Sequence, residues 1–188
     1  NEPLEEIISD PGEGGESAVQ LDRHLQVVAD RMVDLGGFST DREPPTTEIA
    51  RCIGRLHDFG KVTPMFQKHI RGESVRERRY TFHSRVGAFA VAHALARMGA
   101  GKRDQLAGFL AVCHHHGALK NTAHYVETDI IEAEREEGSP NRWAVRQIEI
   151  INNECADAAD ALLRRATNST ATWETFHESI ESGALFSD

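Results

Sequence analysis

L-H-D-F-G-K, residues 56–61, is the stretch on which the reading of this chain turns. Upstream of it, Ile49, Ile53 and Leu56 recur at helical spacing after Pro44-Pro45, and Thr46 or Thr47 is placed to cap. A helix is therefore expected to run into His57-Asp58 and stop near Gly60. Adjacent helical residues point about 100° apart, so His57 and Asp58 can each face a different metal ion, or Asp58 can bridge two. Lys61 lies on the Asp58 side if the turn continues, where a cation would hold a phosphate oxygen; a solvated surface lysine has the same local signature.

Working outward, helical periodicity dominates. Leu21, Leu25, Val28, Met32 and Leu35 predict a helix from Ser17 to about Leu35, ended by Gly36-Gly37, with His24 on its apolar stripe. Thr63-Pro64 restarts a short helix carrying Met65, Phe66 and Ile70. Residues 71–80 read as a polar loop. A helix from His83 to Met98 presents Val86, Phe89, Ala90 and His93, and Gly99-Ala100-Gly101 breaks it. Leu106, Phe109, Leu110 and Cys113 mark the next helix, which ends at His114-His115-His116-Gly117. After a charged segment, 127–137, and a turn at Gly138-Ser139-Pro140, one long helix fits 141–166, with Trp143, Ile148, Ile151, Cys155, Ala159 and Leu162 or Leu163 inward. Trp173, Phe176 and Ile180 mark a last piece. No strand pair and no repeat is expected. The class is all-α, a single-domain helical bundle over residues 17–188, with 1–16 a flexible lead-in.

Composition narrows the function. The chain has 188 residues, 39% hydrophobic and 27% charged, which suits one soluble globular domain. No apolar run approaches the roughly 20 residues a membrane helix needs, and the acidic, Gly-rich start does not read as a secretory signal. Cys52, Cys113 and Cys155 are far apart with no C-x-x-C, which argues against a zinc ribbon or disulfide framework and for reduced thiols in the cytoplasm. A net charge of -9 argues against coating nucleic acid by bulk electrostatics, but bound divalent cations can neutralise phosphate locally.

The histidines carry the chemistry. Any one of the ten has an ordinary structural explanation. As a set, His24, His57-Asp58, His83 and the His114–His116 run come from four expected helices and can converge in a bundle core. Three consecutive histidines cannot share one helical face, so at least one of the run serves packing or supports a neighbour. Histidine with carboxylate and no cysteine suits manganese, magnesium, iron, nickel or cobalt better than structural zinc. Two such ions about 3.5–4 Å apart suit phosphodiester hydrolysis. Lys68, Arg71, Arg76, Arg78 and Arg79, against only Glu73 and Glu77, form a basic stretch that either binds a nucleic-acid backbone or is a solvated loop. Trp143 and Trp173 fall in helical periods and read as core.

These stretches resemble a known family. L-D-R-H-L-Q-V-V-A (21–29), L-H-D-F-G-K (56–61), F-Q (66–67), H-S-R-V-G-A (83–88) and H-H-G (115–117) are similar, in order and spacing, to the HD nuclease domain of type I CRISPR interference, over about residues 17–120. The resemblance implies an HD-type fold with a two-metal site: His24 and His57 on the first ion, Asp58 bridging, His83, His115 and His116 on the second, and Lys61 near the scissile phosphate. It implies cleavage of single-stranded DNA, by endonuclease or exonuclease action, fed by a superfamily 2 helicase that is fused or separate, after a surveillance complex opens the target. Two features depart from the pattern. His114 is an extra histidine. The family's later aspartate ligand has no clear counterpart: Asp157 and Asp160 come too early, and either Asp188 serves or, as expected here, the chain stops before that ligand. The other readings are an HD phosphohydrolase acting on nucleotides or cyclic dinucleotides, against which F-Q, H-S-x-x-G-A and the basic stretch argue, and a non-catalytic docking module, against which the intact ligand set argues.

Overall fold

The computed structural model describes residues 3–12, 17–36, 41, 44–117 and 140–183. The architecture is all-α. Helices α1 (Leu21–Leu35), α2 (Thr46–Leu56), α3 (Pro64–Ile70), α4 (Ser84–Arg97), α5 (Lys102–Cys113), α6 (Pro140–Glu154), α7 (Ala156–Thr167) and α8 (Trp173–Glu181) account for most described residues. Among the described residues no helix is long and apolar enough to cross a membrane.

α4 is the axis of the bundle. Every residue from Val86 to Leu95 is buried, and the helix packs against α2, α5, α6, α7 and α8. Its sequence, S-R-V-G-A-F-A-V-A-H-A-L-A-R, is apolar nearly all round, as a helix enclosed on every side must be. α1 and α2 are one-sided: Leu21, Leu25 and Ala29 on one, Ile49, Ala50, Cys52 and Leu56 on the other, face the core. Burial pushes the Cys52 thiol up to about 12, against the opposing effect of Arg55, so it stays a protonated, unreactive packing group.

Three local expectations differ from the structure. The N-terminal segment is not simply a lead-in: Leu4 and Ile7 are buried, and strand β1 (Ile8–Asp10) pairs antiparallel with β2 (Val19–Gln20), Ile8 opposite Gln20 and Asp10 opposite Val19. The ribbon is too small to change the class, but it brings residues 7–9 against the site. Thr46 opens α2 rather than capping it; Pro45 occupies the cap and makes no side-chain hydrogen bond. The long helix expected over 141–166 is two, broken at Cys155 (φ -149°, ψ 29°). Trp173 is tied to both halves: its indole N–H donates to Asn152 Oδ1 (2.9 Å) and its backbone N–H to Asp160 Oδ1 (2.8 Å). Ile148, Ile151, Cys155, Ala159, Leu162 and Leu163 are all buried as expected, so the break re-aims the apolar face without exposing it. The charged segment 127–137 and Asp188 lie outside the described residues.

Candidate metal centre

Asp58 is the hub. It lies two residues past the end of α2, 2% exposed, and four imidazoles and one ammonium surround its carboxylate. Oδ2 is 3.1 Å from His24 Nε2, 3.3 Å from His57 Nε2 and 2.8 Å from Lys61 Nζ. Oδ1 is 3.0 Å from His83 Nε2 and 3.1 Å from His115 Nε2. His116 joins through His83, their Nε2 atoms 2.8 Å apart, as His24 and His57 approach to 3.3 Å. The ligand atoms fall into two groups sharing Asp58, each within 4.8 Å: His24, His57, Asp58; and Asp58, His83, His115, His116. His114 belongs to neither.

Close backbone packing makes this convergence possible. A Cβ on Gly60 would sit 2.4 Å from the His83 carbonyl oxygen, and a Cβ on Gly87 would sit 2.7 Å from that of His57. The His-Asp turn and the start of α4 therefore meet backbone to backbone, which no larger residue permits. His24 is presented from α1, His83 immediately before α4, and His115 and His116 just past α5.

The proton bookkeeping calls for a cation. His57 Nδ1 is 2.8 Å from the Gly54 carbonyl and His115 Nδ1 is 2.7 Å from that of Val112. A carbonyl only accepts, so both Nδ1 atoms carry hydrogen and each neutral ring offers a lone pair at Nε2. Those lone pairs face carboxylate oxygens that also only accept. Such a contact is satisfied by an extra proton on each ring or by a metal ion between the groups, and crowding several imidazolium ions around one carboxylate is electrostatically poor. The residues thus fit a divalent cation in type, tautomer and convergence. Where the Nε2 atoms carry protons instead of facing a metal ion, burial still opposes ionisation of Asp58, but hydrogen bonds from His115, His24, His57 and His83 overcome it and hold the carboxyl far below the usual range. Burial works against charge on His115, yet its bonds to Asp58 and the Val112 carbonyl raise its pKa; His116 is lowered by burial and then by its neighbours His115 and His83.

A family model described as "Cas3, HD domain" matches residues 18–187. This chain belongs to the Cas3 HD-domain family. Over 171 residues it is 32% identical to the "CRISPR-associated nuclease/helicase Cas3" of Haloferax volcanii, covering 90% of this chain and 17% of that protein. No solved structure matches. Membership places the chain in a CRISPR-associated, metal-binding nuclease family.

The seven site residues assigned from the sequence lie together: His24, His57, Asp58, Lys61, His83, His115 and His116. Lys61 is no solvated surface lysine; its side chain is 12% exposed. The basic stretch is apart from the hub. Lys68, Arg71, Arg76, Arg78 and Arg79 are all exposed, with Arg71 donating to the Glu6 carbonyl (2.9 Å) and Arg79 lying 5.0 Å over the Trp143 ring.

Two contributors are given no site role by the sequence reading. Ser9, buried, approaches Lys61 Nζ to 3.3 Å with both its carbonyl and its hydroxyl. Gln67, buried, accepts from the Ile8 N–H (3.0 Å) and donates to the carbonyls of Ile8 (2.9 Å) and Lys61 (2.8 Å). F-Q was the visible signal for Gln67; nothing local marks Ser9.

Proposed function

We propose that this chain is a nuclease domain that hydrolyses phosphodiester bonds of single-stranded DNA in type I CRISPR interference, using two divalent ions, of manganese, magnesium, iron, nickel or cobalt, at the Asp58 centre. The observation that carries the reading is one buried carboxylate whose two oxygens face two different sets of imidazole nitrogens. His24, His57 and Asp58 would hold the first ion; Asp58, His83, His115 and His116 would hold the second. When bound, the pair supplies hydroxide near neutral pH and offsets charge on the phosphate. The chain's own residues do the rest. The carbonyls of Gly54 and Val112 fix the tautomers of His57 and His115. Ser9 and Phe66, whose ring lies 5.5 Å from Lys61 Nζ, hold the ammonium beside the carboxylate, where it binds a nonbridging phosphate oxygen.

The Haloferax relative is a nuclease/helicase of which this chain spans 17%. That supports a superfamily 2 helicase, fused or separate, and a surveillance complex as partners, and the cysteine pattern supports a cytoplasmic setting. The test combines metal analysis with cleavage of single-stranded DNA, duplex DNA and nucleotides under each divalent ion. Strand cleavage that disappears in Asp58→Ala is expected, and near-normal cleavage by folded Asp58→Ala would sink the reading. Hydrolysis of nucleotides or cyclic dinucleotides with strands left intact would move the assignment to that substrate class, and no metal uptake at all would make the domain a docking module.

A further inference from the structure

A cavity of about 320 Å³ opens beside the second half of the metal centre, lined by Arg79, Phe82, Ser84, Arg85, Trp143 and Gln147 among others. Its volume is that of a small-ligand site. Its lining includes Phe82 and Ser84, the residues on either side of His83 in the chain.

Phe82 is the telling residue. Its ring is large and apolar, yet the residue is 68% exposed. Its backbone is fixed all the same: the Phe82 carbonyl accepts from Nε2 of Gln147, a residue only 2% exposed (3.0 Å). The ring is thus presented from an anchored position. Also in the lining, the Arg79 guanidinium carbon lies 5.0 Å from the Trp143 ring centroid, within range of a cation–π contact. Arg79 also ends the run of five exposed cations that begins at Lys68.

The lining therefore offers an exposed aromatic face, a second aromatic under a guanidinium, and a nearby cationic track. That combination recognises a planar π-system tied to phosphates, which is how single strands are held without sequence readout. We propose that this cavity binds a nucleobase of the strand whose neighbouring phosphate lies at the Asp58 centre. The proposal rests on the nuclease reading for its substrate, and extends it by assigning a base subsite and naming Phe82 as its platform.

The test measures binding of the full chain, by fluorescence anisotropy, to an oligothymidine strand and to an abasic strand of equal length, in wild type, Phe82→Ala and Phe82→Trp. Stacking on one aromatic is worth roughly 1–3 kcal/mol, so Phe82→Ala should weaken oligothymidine binding about 5- to 150-fold. It should leave abasic binding unchanged, and Phe82→Trp should restore affinity. Because Phe82 is exposed, the unfolding midpoint should not move, which separates a lost platform from a lost fold. Wild-type tryptophan fluorescence should be quenched by oligothymidine, and Trp143→Phe should remove that quench. Equal affinity of wild type and Phe82→Ala for oligothymidine, equal losses on both strands, or no binding of either strand overturns the proposal. The nuclease reading is judged separately, by Asp58→Ala cleavage, so base-dependent binding with Asp58-independent cleavage would leave the subsite standing and remove the metal mechanism.

Discussion

Replacing Gln67 by Leu keeps the side chain's approximate size and removes its amide, and the structure sets what that costs. Gln67 is 1% exposed, and its amide makes three hydrogen bonds, all to backbone: from the Ile8 N–H, to the Ile8 carbonyl and to the Lys61 carbonyl. Each bond is worth about 1 kcal/mol net, and a similar-volume apolar swap adds little packing cost. The expected loss is therefore about 3 kcal/mol, a large share of the roughly 5–15 kcal/mol that holds a domain folded. With a urea slope of about 2 kcal/mol per M, the unfolding midpoint should fall by about 1.5 M. If β1 instead peels away while the bundle persists, the midpoint falls less but the Ile8 amide exchanges rapidly with solvent. Either way Ser9 leaves Lys61, so cleavage should fall as well. A midpoint within about 0.3 M of wild type, together with a protected Ile8 amide, would refute the argument that this one amide fastens the N-terminal strand to the site.

Gly60→Ala puts a Cβ 2.4 Å from the His83 carbonyl oxygen, so it should cost about 3 kcal/mol in denaturant unfolding and lower metal affinity, and a wild-type midpoint would show that the contact relaxes freely. His114→Ala should keep metal while His116→Ala should lose it, measured by metal content after desalting; the reverse pattern would mean the wrong pair had been assigned. His93 is pushed down to about 4 by burial and then by the Arg97 charge. The unfolded chain therefore takes up a proton between about pH 6.5 and 4 that the fold refuses, and stability falls as pH falls through that window. Its share of the loss from pH 7 to 5 should be about 2 kcal/mol, read as a shallower acid dependence of unfolding in His93→Gln than in wild type; parallel curves would rule the effect out.

The histidine cluster was legible because its members sit where helical periodicity starts or stops, and each neighbouring apolar pattern is strong. His83 before Val86 and Phe89, and His115-His116 after Phe109 and Cys113, are at helix ends that the sequence marks with polar runs and glycines. The N-terminal strand was not legible. Leu4 and the Ile7-Ile8 pair are short apolar islands among acids, with no period to read, and what orders Ile8 is a partner 59 positions away. The break at Cys155 was hidden for the same reason: neither glycine nor proline marks it, and the ties to Trp173 that hold the two halves are long-range. Gly60 was read as a helix stop, whereas its missing side chain is what lets His83 approach.

The centre also couples chemistry to assembly. Its side chains come from α1, the turn after α2, the residue before α4 and the end of α5, so no contiguous piece of the chain carries a complete set. A half-synthesised or partly melted chain holds scattered imidazoles and nothing else. Under the proposed function, the nuclease activity would arise only with the finished bundle. Any ion captured there adds its binding free energy to the fold itself. Metal supply becomes a stability factor, and a chelator acts on this domain as a mild denaturant.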